Sequence, residues 1–301
     1  MSPRRPWPAR AVQLLACPVC GDPLTTRPDD AGLRCPAGHA FDRARQGHVT
    51  LLPPGHVPPS GDSAAMVADR VAFLAAGHYA GLTRALEDAV TAGDHGPPGA
   101  LLDLGGGTGH HLAAVLDRLP DAAGVVLDSS RYAARRAAGA SPRALAVVAD
   151  AWARLPVRTA AVDRVLVVFA PRNGPEVARV LRPGGRLVVV TPAADHLREL
   201  VGPLGLLRVD PDKARRLSAA LGPHLHPVAA AAHREHLVLD RAAVATLVGM
   251  GPHARHLDPA RLAAAVAALP GRTPVTLSVD VTTWAPEPGG PGVSGHDPGT
   301  T

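Results

Sequence analysis

Short, wholly apolar runs recur through the middle of the chain, with amphipathic stretches between them. Residues 101–104, 124–127, 144–148, 162–169 and 186–191 each read as a buried strand. Residues 109–119, the arginine-bearing stretch after Asp128 and residues 176–181 read as the helices that connect them. Strands and helices in that alternation predict parallel βαβ units. Residues 236–239 and the alternating run 274–284 add two further strands, for seven in one sheet, and 241–250 and 259–269 read as helices. The rest of 195–240 has no clear period and is expected to be helix with a polar loop.

Upstream, residues 63–92 are helical by spacing. Met66, Val67, Val71, Phe73 and Leu74, then Leu82, Leu86 and Val90, recur on one face with charged residues between, and Gly77 is a candidate break. Prolines at 53–59 and the glycines of 93–99 mark two linkers, because proline is excluded from a helix interior. The pattern divides the chain into a small module at 1–52, a linker and helical segment at 53–98, a Rossmann-like domain at 99–285 and a disordered Gly/Pro/Ser-rich tail at 286–301.

Composition narrows this further. Of 301 residues 46% are hydrophobic but only 3% aromatic, so the core must be built from Ala, Val and Leu. The net charge is +5, and Lys213 is the only lysine among 31 basic residues. An arginine-rich surface suits phosphate, because guanidinium offers planar, bidentate donors. A compositional bias replacing Lys with Arg explains the same count, so charge alone does not decide for nucleic acid. No run approaches the roughly 20 apolar residues of a membrane span. Leu14 to Cys17 mimics a lipoprotein cleavage box, but the preceding apolar run contains Gln13 and is shorter than the roughly 7–15 residues a signal needs. A cytoplasmic protein is expected.

All three cysteines lie within residues 17–35, and an odd number argues against a closed disulfide framework. Cys17 and Cys20 form a Cys-x2-Cys pair, and after fourteen intervening residues Cys35 and His39 form a Cys-x3-His pair. Two close pairs on facing turns can supply the four tetrahedral ligands of a structural zinc ion. A redox Cys-x2-Cys pair would leave Cys35 and His39 without a purpose. With all four positions filled by protein, the expected zinc supports architecture rather than chemistry.

The first strand, ending Asp103-Leu104, runs straight into Gly105, Gly107 and Gly109. Glycines let the backbone approach a ligand closely, and the following helix offers free N–H donors. Asp128 closes the second strand, where a carboxylate can accept both ribose hydroxyls, and Asp150 closes the third, within reach of an adenine amino group. A dinucleotide site is the rival reading. Asp103 before the first glycine favours an amino-acid or sugar contact over pyrophosphate, and so S-adenosylmethionine. The Leu181-Arg182-Pro183-Gly184-Gly185 turn agrees.

These motifs, with Phe41-Asp42, 47–52, 61–63, 73–79, Phe169-Ala170-Pro171 and 191–197, resemble the RlmA family of 23S rRNA guanine-N1-methyltransferases. Residues 105–111 and 168–173 look like its tylosin-resistance branch, which acts on guanine 748 in a hairpin lining the peptide exit tunnel. The resemblance implies an α/β fold: a seven-stranded Rossmann-like S-adenosylmethionine-dependent methyltransferase domain behind an N-terminal zinc-binding module that recognises RNA. It places cofactor contacts on Tyr79, Gly107, Thr108 and His196, and zinc on Cys17, Cys20, Cys35 and His39. His48 and Thr50 depart from the Tyr and Asn of many members.

On this reading guanine N1 attacks the sulfonium methyl, with Phe169 cradling the unpaired base and Asn173 touching its edge. Phe169 as plain core is the competing reading, and no residue is assigned as the base. RNA affinity is expected from Arg4, Arg5 and Arg10 with Arg43 and Arg45, while Arg131, Arg135 and Arg136 are either a second contact or a solvated face. A dimer would present two zinc modules to one RNA. Guanine 745 as target, a small-molecule methyltransferase of antibiotic biosynthesis, and a non-catalytic ribosome-binding protein are the alternatives.

Overall fold

The computed structural model describes residues 5–58, 61–93, 96–210, 212–251, 254 and 258–286. Arg4 and the tail from 287 onward lie outside the described residues. The first element is α1 (Ala9–Val12), followed by β1 (Thr25–Thr26), β2 (Gly32–Arg34) and β3 (Ala40–Asp42), which pair as a small antiparallel sheet. Next comes β4 (Val49–Thr50), then two helices, α2 (Ala64–Ala75) and α3 (Ala80–Thr91). Ser63 caps α2 by accepting the Met66 N–H at 3.2 Å. Gly77, at φ +77°, ends it in a left-handed turn that a side chain would strain.

The large domain alternates β5 (Ala100–Leu104), α4 (His110–Arg118), β6 (Ala123–Asp128), α5 (Arg131–Ala137), β7 (Ala144–Val148), β8 (Val162–Val168), α6 (Gly174–Val180) and β9 (Leu181–Pro192). It continues with α7 (Arg198–Leu204), α8 (Lys213–Leu221), β10 (Leu225–Asp240), α9 (Arg241–Gly249), α10 (Pro259–Ala268) and β11 (Arg272–Pro286). The sheet order is β10-β11-β9-β8-β5-β6-β7-β4, parallel from β9 to β4 and antiparallel at β10 and β11.

Each parallel strand feeds both faces in strict alternation. Leu102, Leu104, Val125 and Leu127 point into one core with Val12, Leu15 and Leu33 of the N-terminal module. Leu101 and Val126 point into the other with Phe73, Leu82 and Leu86 of α2 and α3. Period-two alternation with both faces covered is why these strands read as continuous apolar runs.

Two features differ from the sequence expectation. The sheet has eight strands, not seven, because β4 of the N-terminal module pairs parallel with β7, Val49 opposite Val147 and Thr50 opposite Val148. The boundary at 52 therefore does not separate two self-contained folds. Second, β10 runs from Leu225 instead of only 236–239. It is the edge strand, and residues 227–232 are exposed, so neither face leaves a burial pattern in the sequence.

Candidate active site and metal centre

The chain runs outward from β5 through β6 to β7, then crosses to the other side of β5 for β8 and β9. At such a reversal the loops leaving the strands diverge and open a crevice. A cavity of about 750 Å³ sits there, at the carboxyl ends of β5 to β9.

Its floor is the glycine turn after β5. A Cβ on Gly106 would stand 2.4 Å from Asp103 Cγ, and one on Gly105 (φ +71°) would stand 2.5 Å from the Cβ of Ala170 in the loop after β8. Gly105 lets the two loops close, and Gly106 leaves room for the Asp103 carboxyl within the turn. Gly107 N–H donates to Asp128 Oδ2 at 2.9 Å, and Ser130 N–H to Asp128 Oδ1 at 2.7 Å. Burial raises the Asp128 carboxyl above its ordinary range against these two N–H donors.

Asp103 is buried, and neither of its oxygens has a hydrogen-bond partner. Burial, then the neighbouring Asp128 charge, pushes its carboxyl up to about 7. A buried carboxylate with no donor is costly, and here it faces the cavity, so it fits a ligand that brings a donor or a positive charge. Thr108 lines the same wall. Tyr79 also lines the cavity, edge-on to Phe73 with ring centroids 4.9 Å apart, and burial pushes its phenol well up. Asp150 Oδ2 meets His56 Nε2 at 2.8 Å, and Trp152 N–H donates to Asp150 Oδ1 at 2.8 Å.

The opposite wall is built by the loops after β8 and β9. Phe169 takes φ +53°, a left-handed conformation rare for an aromatic residue, and is 43% exposed. It is therefore not core; its ring faces His196 at 5.8 Å. The His196 Nδ1 accepts the Ser278 N–H at 3.3 Å, and burial lowers its pKa to about 4, leaving a neutral ring with its proton on Nε2. His110 and His111 lie beside the glycine turn, and burial lowers both, His111 to about 3.

Asn173 is a correction. Its Nδ2 donates to the carbonyls of Ala151 and Ala153, each at 3.1 Å, and its Oδ1 accepts the Glu176 N–H at 3.4 Å as the cap of α6. It is spent on the loop after β7 and is not among the residues lining the cavity. Its bonds make it a residue that positions that loop.

Sequence reasoning passed over Trp152, which is 60% exposed on the cavity wall. The signal was available, since a chain with eight aromatic residues has few to leave in water. It also passed over Arg172, Lys213 and Arg216 at the cavity mouth.

In the N-terminal module, Cys17 Sγ and Cys35 Sγ stand 3.6 and 3.4 Å from His39 Nδ1, and Cys20 Sγ stands 3.7 Å from Cys35 Sγ. A tetrahedron with Zn–S bonds of roughly 2.3 Å has edges of roughly 3.7 Å between donor atoms. All four donors lie within 4.8 Å of one another, so they fit one zinc ion. The Val19 N–H points at Cys17 Sγ at 3.5 Å, the polarity a thiolate needs.

Two arginines assigned to RNA are engaged elsewhere. Arg43 bonds Asp30 Oδ2 at 2.6 Å and the Arg5 carbonyl, and covers the Trp7 ring at 4.7 Å. Arg10 donates to the Asp121 carbonyl. Both tie the module together or to the large domain; the Arg43 side chain is buried by its partners, whereas Arg10 stays exposed. His48 is buried within the module, while Thr50 is exposed. Arg5, Arg45, Arg131, Arg135 and Arg136 remain exposed.

Residues 15–56 match the family model for the RlmA N-terminal zinc ribbon, and residues 101–185 match a methyltransferase-domain model. The chain is 51% identical to the 23S rRNA (guanine(748)-N(1))-methyltransferase of Streptomyces fradiae, across 92% of this chain and 98% of that protein. It is 53% identical to a provisionally named 23S rRNA (guanine-N(1)-)-methyltransferase of Micromonospora griseorubida, across 90% of this chain and 97% of that one. The chain belongs to the 23S rRNA (guanine-N1)-methyltransferase family. A Bacillus subtilis protein of the same provisional name is 30% identical over 62% of this chain and 67% of its own length. Membership makes the glycine-floored cavity that of an S-adenosylmethionine-dependent enzyme and the Cys3His cluster that of a structural zinc ribbon. Among the described residues no helix is long and apolar enough to cross a membrane.

Proposed function

We propose that this chain methylates N1 of guanine 748 in 23S rRNA, within the hairpin lining the peptide exit tunnel, and so gives resistance to tylosin-type macrolides. The observation that carries this reading is the near full-length match to the Streptomyces fradiae enzyme of that specificity.

The residues divide the work. When bound, S-adenosylmethionine supplies a methyl group on a positively charged sulfur. Asp128 and Asp150, fixed by backbone N–H groups, receive the ribose hydroxyls and the adenine amino group. Asp103, Tyr79, Thr108 and the glycine turn receive the amino-acid end, where the unpartnered carboxylate gains a donor. Phe169 forms the platform for the guanine, and the neutral His196 ring beside it, kept as a cofactor contact, closes the boundary between the two ligands. Transfer requires an in-line approach, so holding the base is the main catalytic contribution. N1 lies on the Watson–Crick edge, so the base must leave its stack, at a cost of a few kcal/mol. No side chain is assigned as the base that takes the N1 proton.

The zinc ribbon, through Arg5 and Arg45, and α5, through Arg131, Arg135 and Arg136, are the RNA-facing surfaces. The reaction belongs in the cytoplasm, and a pair of copies would present two ribbons to one RNA, which sedimentation with and without the hairpin reads. A small-molecule acceptor is the second reading, and the cationic mouth of the cavity speaks against a neutral one.

The test uses unmodified 23S rRNA, purified protein and S-adenosylmethionine, read by reverse transcription, because N1 methylation blocks pairing. A new stop at guanine 748 is expected. A stop at 745 would keep the chemistry and move the target. No stop, with cofactor bound, would turn the assignment toward a small molecule.

A further inference from the structure

The cavity is divided by charge along the sheet. Asp103 lies at the end of β5, Asp128 ends β6 and Asp150 follows β7, on one side of the reversal. Arg172 follows β8, and Lys213 and Arg216 lie on α8, on the other side. The carboxylate half takes the cofactor. The cationic half is where an acceptor must enter.

The cations there are under-compensated. Arg216 pairs with Asp210, but among the described residues no carboxylate pairs with Arg172 or Lys213. Arg172 Nε is buried with no hydrogen-bond partner. Burial and the Arg216 charge lower the Arg172 guanidinium, and burial and the Arg172 charge lower the Lys213 ammonium. Packing cations together at a partly buried site costs stability, and a bound anion relieves it. The residue type is informative too. Lys213 is the chain's only lysine, so it is the one position where a compact ammonium stands in place of the guanidinium used everywhere else. A compact point charge beside a flat guanidinium fits a tetrahedral phosphate held from two directions.

We propose that Arg172 and Lys213, with Arg216 beside them, bind a phosphodiester flanking the target guanosine and thereby hold the flipped nucleotide against Phe169. The inference rests on the guanine-methyltransferase reading and deepens it. The competing anion is the carboxylate of the cofactor's own amino-acid end. Arg70 is the cation on the carboxylate side for that: its Nη2 is held by Asp62 and the Met250 carbonyl, at 2.8 and 2.9 Å, while its Nη1 lies 2.8 Å from where a Gly107 Cβ would stand.

The experiment pairs a protein change with an RNA change. Hairpin transcripts carry one uncharged methylphosphonate, either 5′ or 3′ of the target guanosine, and kcat/KM is measured for wild type, Lys213→Met, Arg172→Gln and Lys213→Arg. An exposed control, Arg215→Gln, sits on the same helix paired to Asp212. In wild type, one of the two methylphosphonates is expected to lower kcat/KM by about tenfold. Lys213→Met loses a similar factor on native RNA and nothing further on the modified RNA, and Lys213→Arg, which keeps the charge but not the compact ammonium, recovers only part of it. S-adenosylhomocysteine affinity and thermal stability stay at wild-type values. Additive losses, losses matched by Arg215→Gln, or a stable variant that loses S-adenosylhomocysteine instead of RNA would overturn the proposal alone. A wild type that fails to methylate even the native hairpin would overturn the guanine reading and this proposal with it. Should Lys213→Met fail to fold, Arg172→Gln carries the same comparison.

Discussion

His56 Nε2 lies 2.8 Å from Asp150 Oδ2, so a residue of the linker is fastened to the acidic end of the third parallel strand. A carboxylate offers about four lone-pair sites, so Asp150 can hold His56, the Trp152 N–H and an adenine amino group together. The linker is thus part of the cofactor wall. His56→Ala should weaken S-adenosylhomocysteine binding about fivefold, the worth of one hydrogen bond of about 1 kcal/mol. Isothermal titration reads this, and an unchanged affinity would show that Asp150 is held without the linker.

Asp103 gives a pH dependence with a definite sign. Its carboxyl is raised to about 7 in the folded chain, so ionising it opposes folding. Stability of the ligand-free protein should fall as pH rises from about 4 to about 7, by up to 1.4 kcal/mol per unit. Asp103→Asn should therefore raise the melting temperature at pH 8 while abolishing cofactor binding. In the wild type, cofactor affinity should fall as pH drops below about 7, because a ligand that pairs with the ionised form must displace a proton. A flat affinity between pH 6 and 8 would count against Asp103 as the contact.

Much of this site was legible because it is local. The run ending in Asp103, the glycines after it, Asp128 and Asp150 each close a strand whose apolar stretch is plain in the sequence, and spacing alone brings them to one edge. The four zinc donors are two short-range pairs. Asn173 was misplaced for the opposite reason. Its position after β8 is right for a base pocket, but its rotamer is set by the carbonyls of Ala151 and Ala153, 22 and 20 positions away in the chain. Arg43 was misplaced similarly, since a surface arginine and one spent on a distant carbonyl and a carboxylate look the same in sequence. The start of β10 had no pattern to find, because an exposed edge strand of alanines has no buried face.

Asn173 and Phe169 separate by different readouts. Asn173→Ala removes a helix cap and two loop bonds, and should lower stability by about 1 kcal/mol and slow methylation through Trp152 and its loop. Phe169→Ala leaves the loop bonds intact and should raise KM for the hairpin by about tenfold, the scale of one stacked base, with cofactor affinity unchanged. Melting curves beside steady-state kinetics on the two variants distinguish these; a Phe169→Ala enzyme with wild-type KM would remove the platform from the mechanism.

Removing zinc should reach the methyltransferase domain. Structural zinc contributes roughly 10–16 kcal/mol in small modules, and here the module's Val12, Leu15 and Leu33 share a core with the main sheet. Chelation, or Cys35→Ser, should lower the melting temperature of the whole chain in one transition and weaken S-adenosylhomocysteine binding. Two separated transitions, the second unshifted, would show that the ribbon is energetically detached.

The pairing of Val49 with Val147 also sets an order of events during synthesis. The ribbon leaves the ribosome first and can close on its metal at once, whereas its partner strand β7 emerges about a hundred residues later. In that interval β4 has only its bridge to Arg43, and its other edge and the apolar side of the ribbon wait uncovered. Completion of β7 is then the moment at which the nascent chain stops being two exposed surfaces and becomes one sheet.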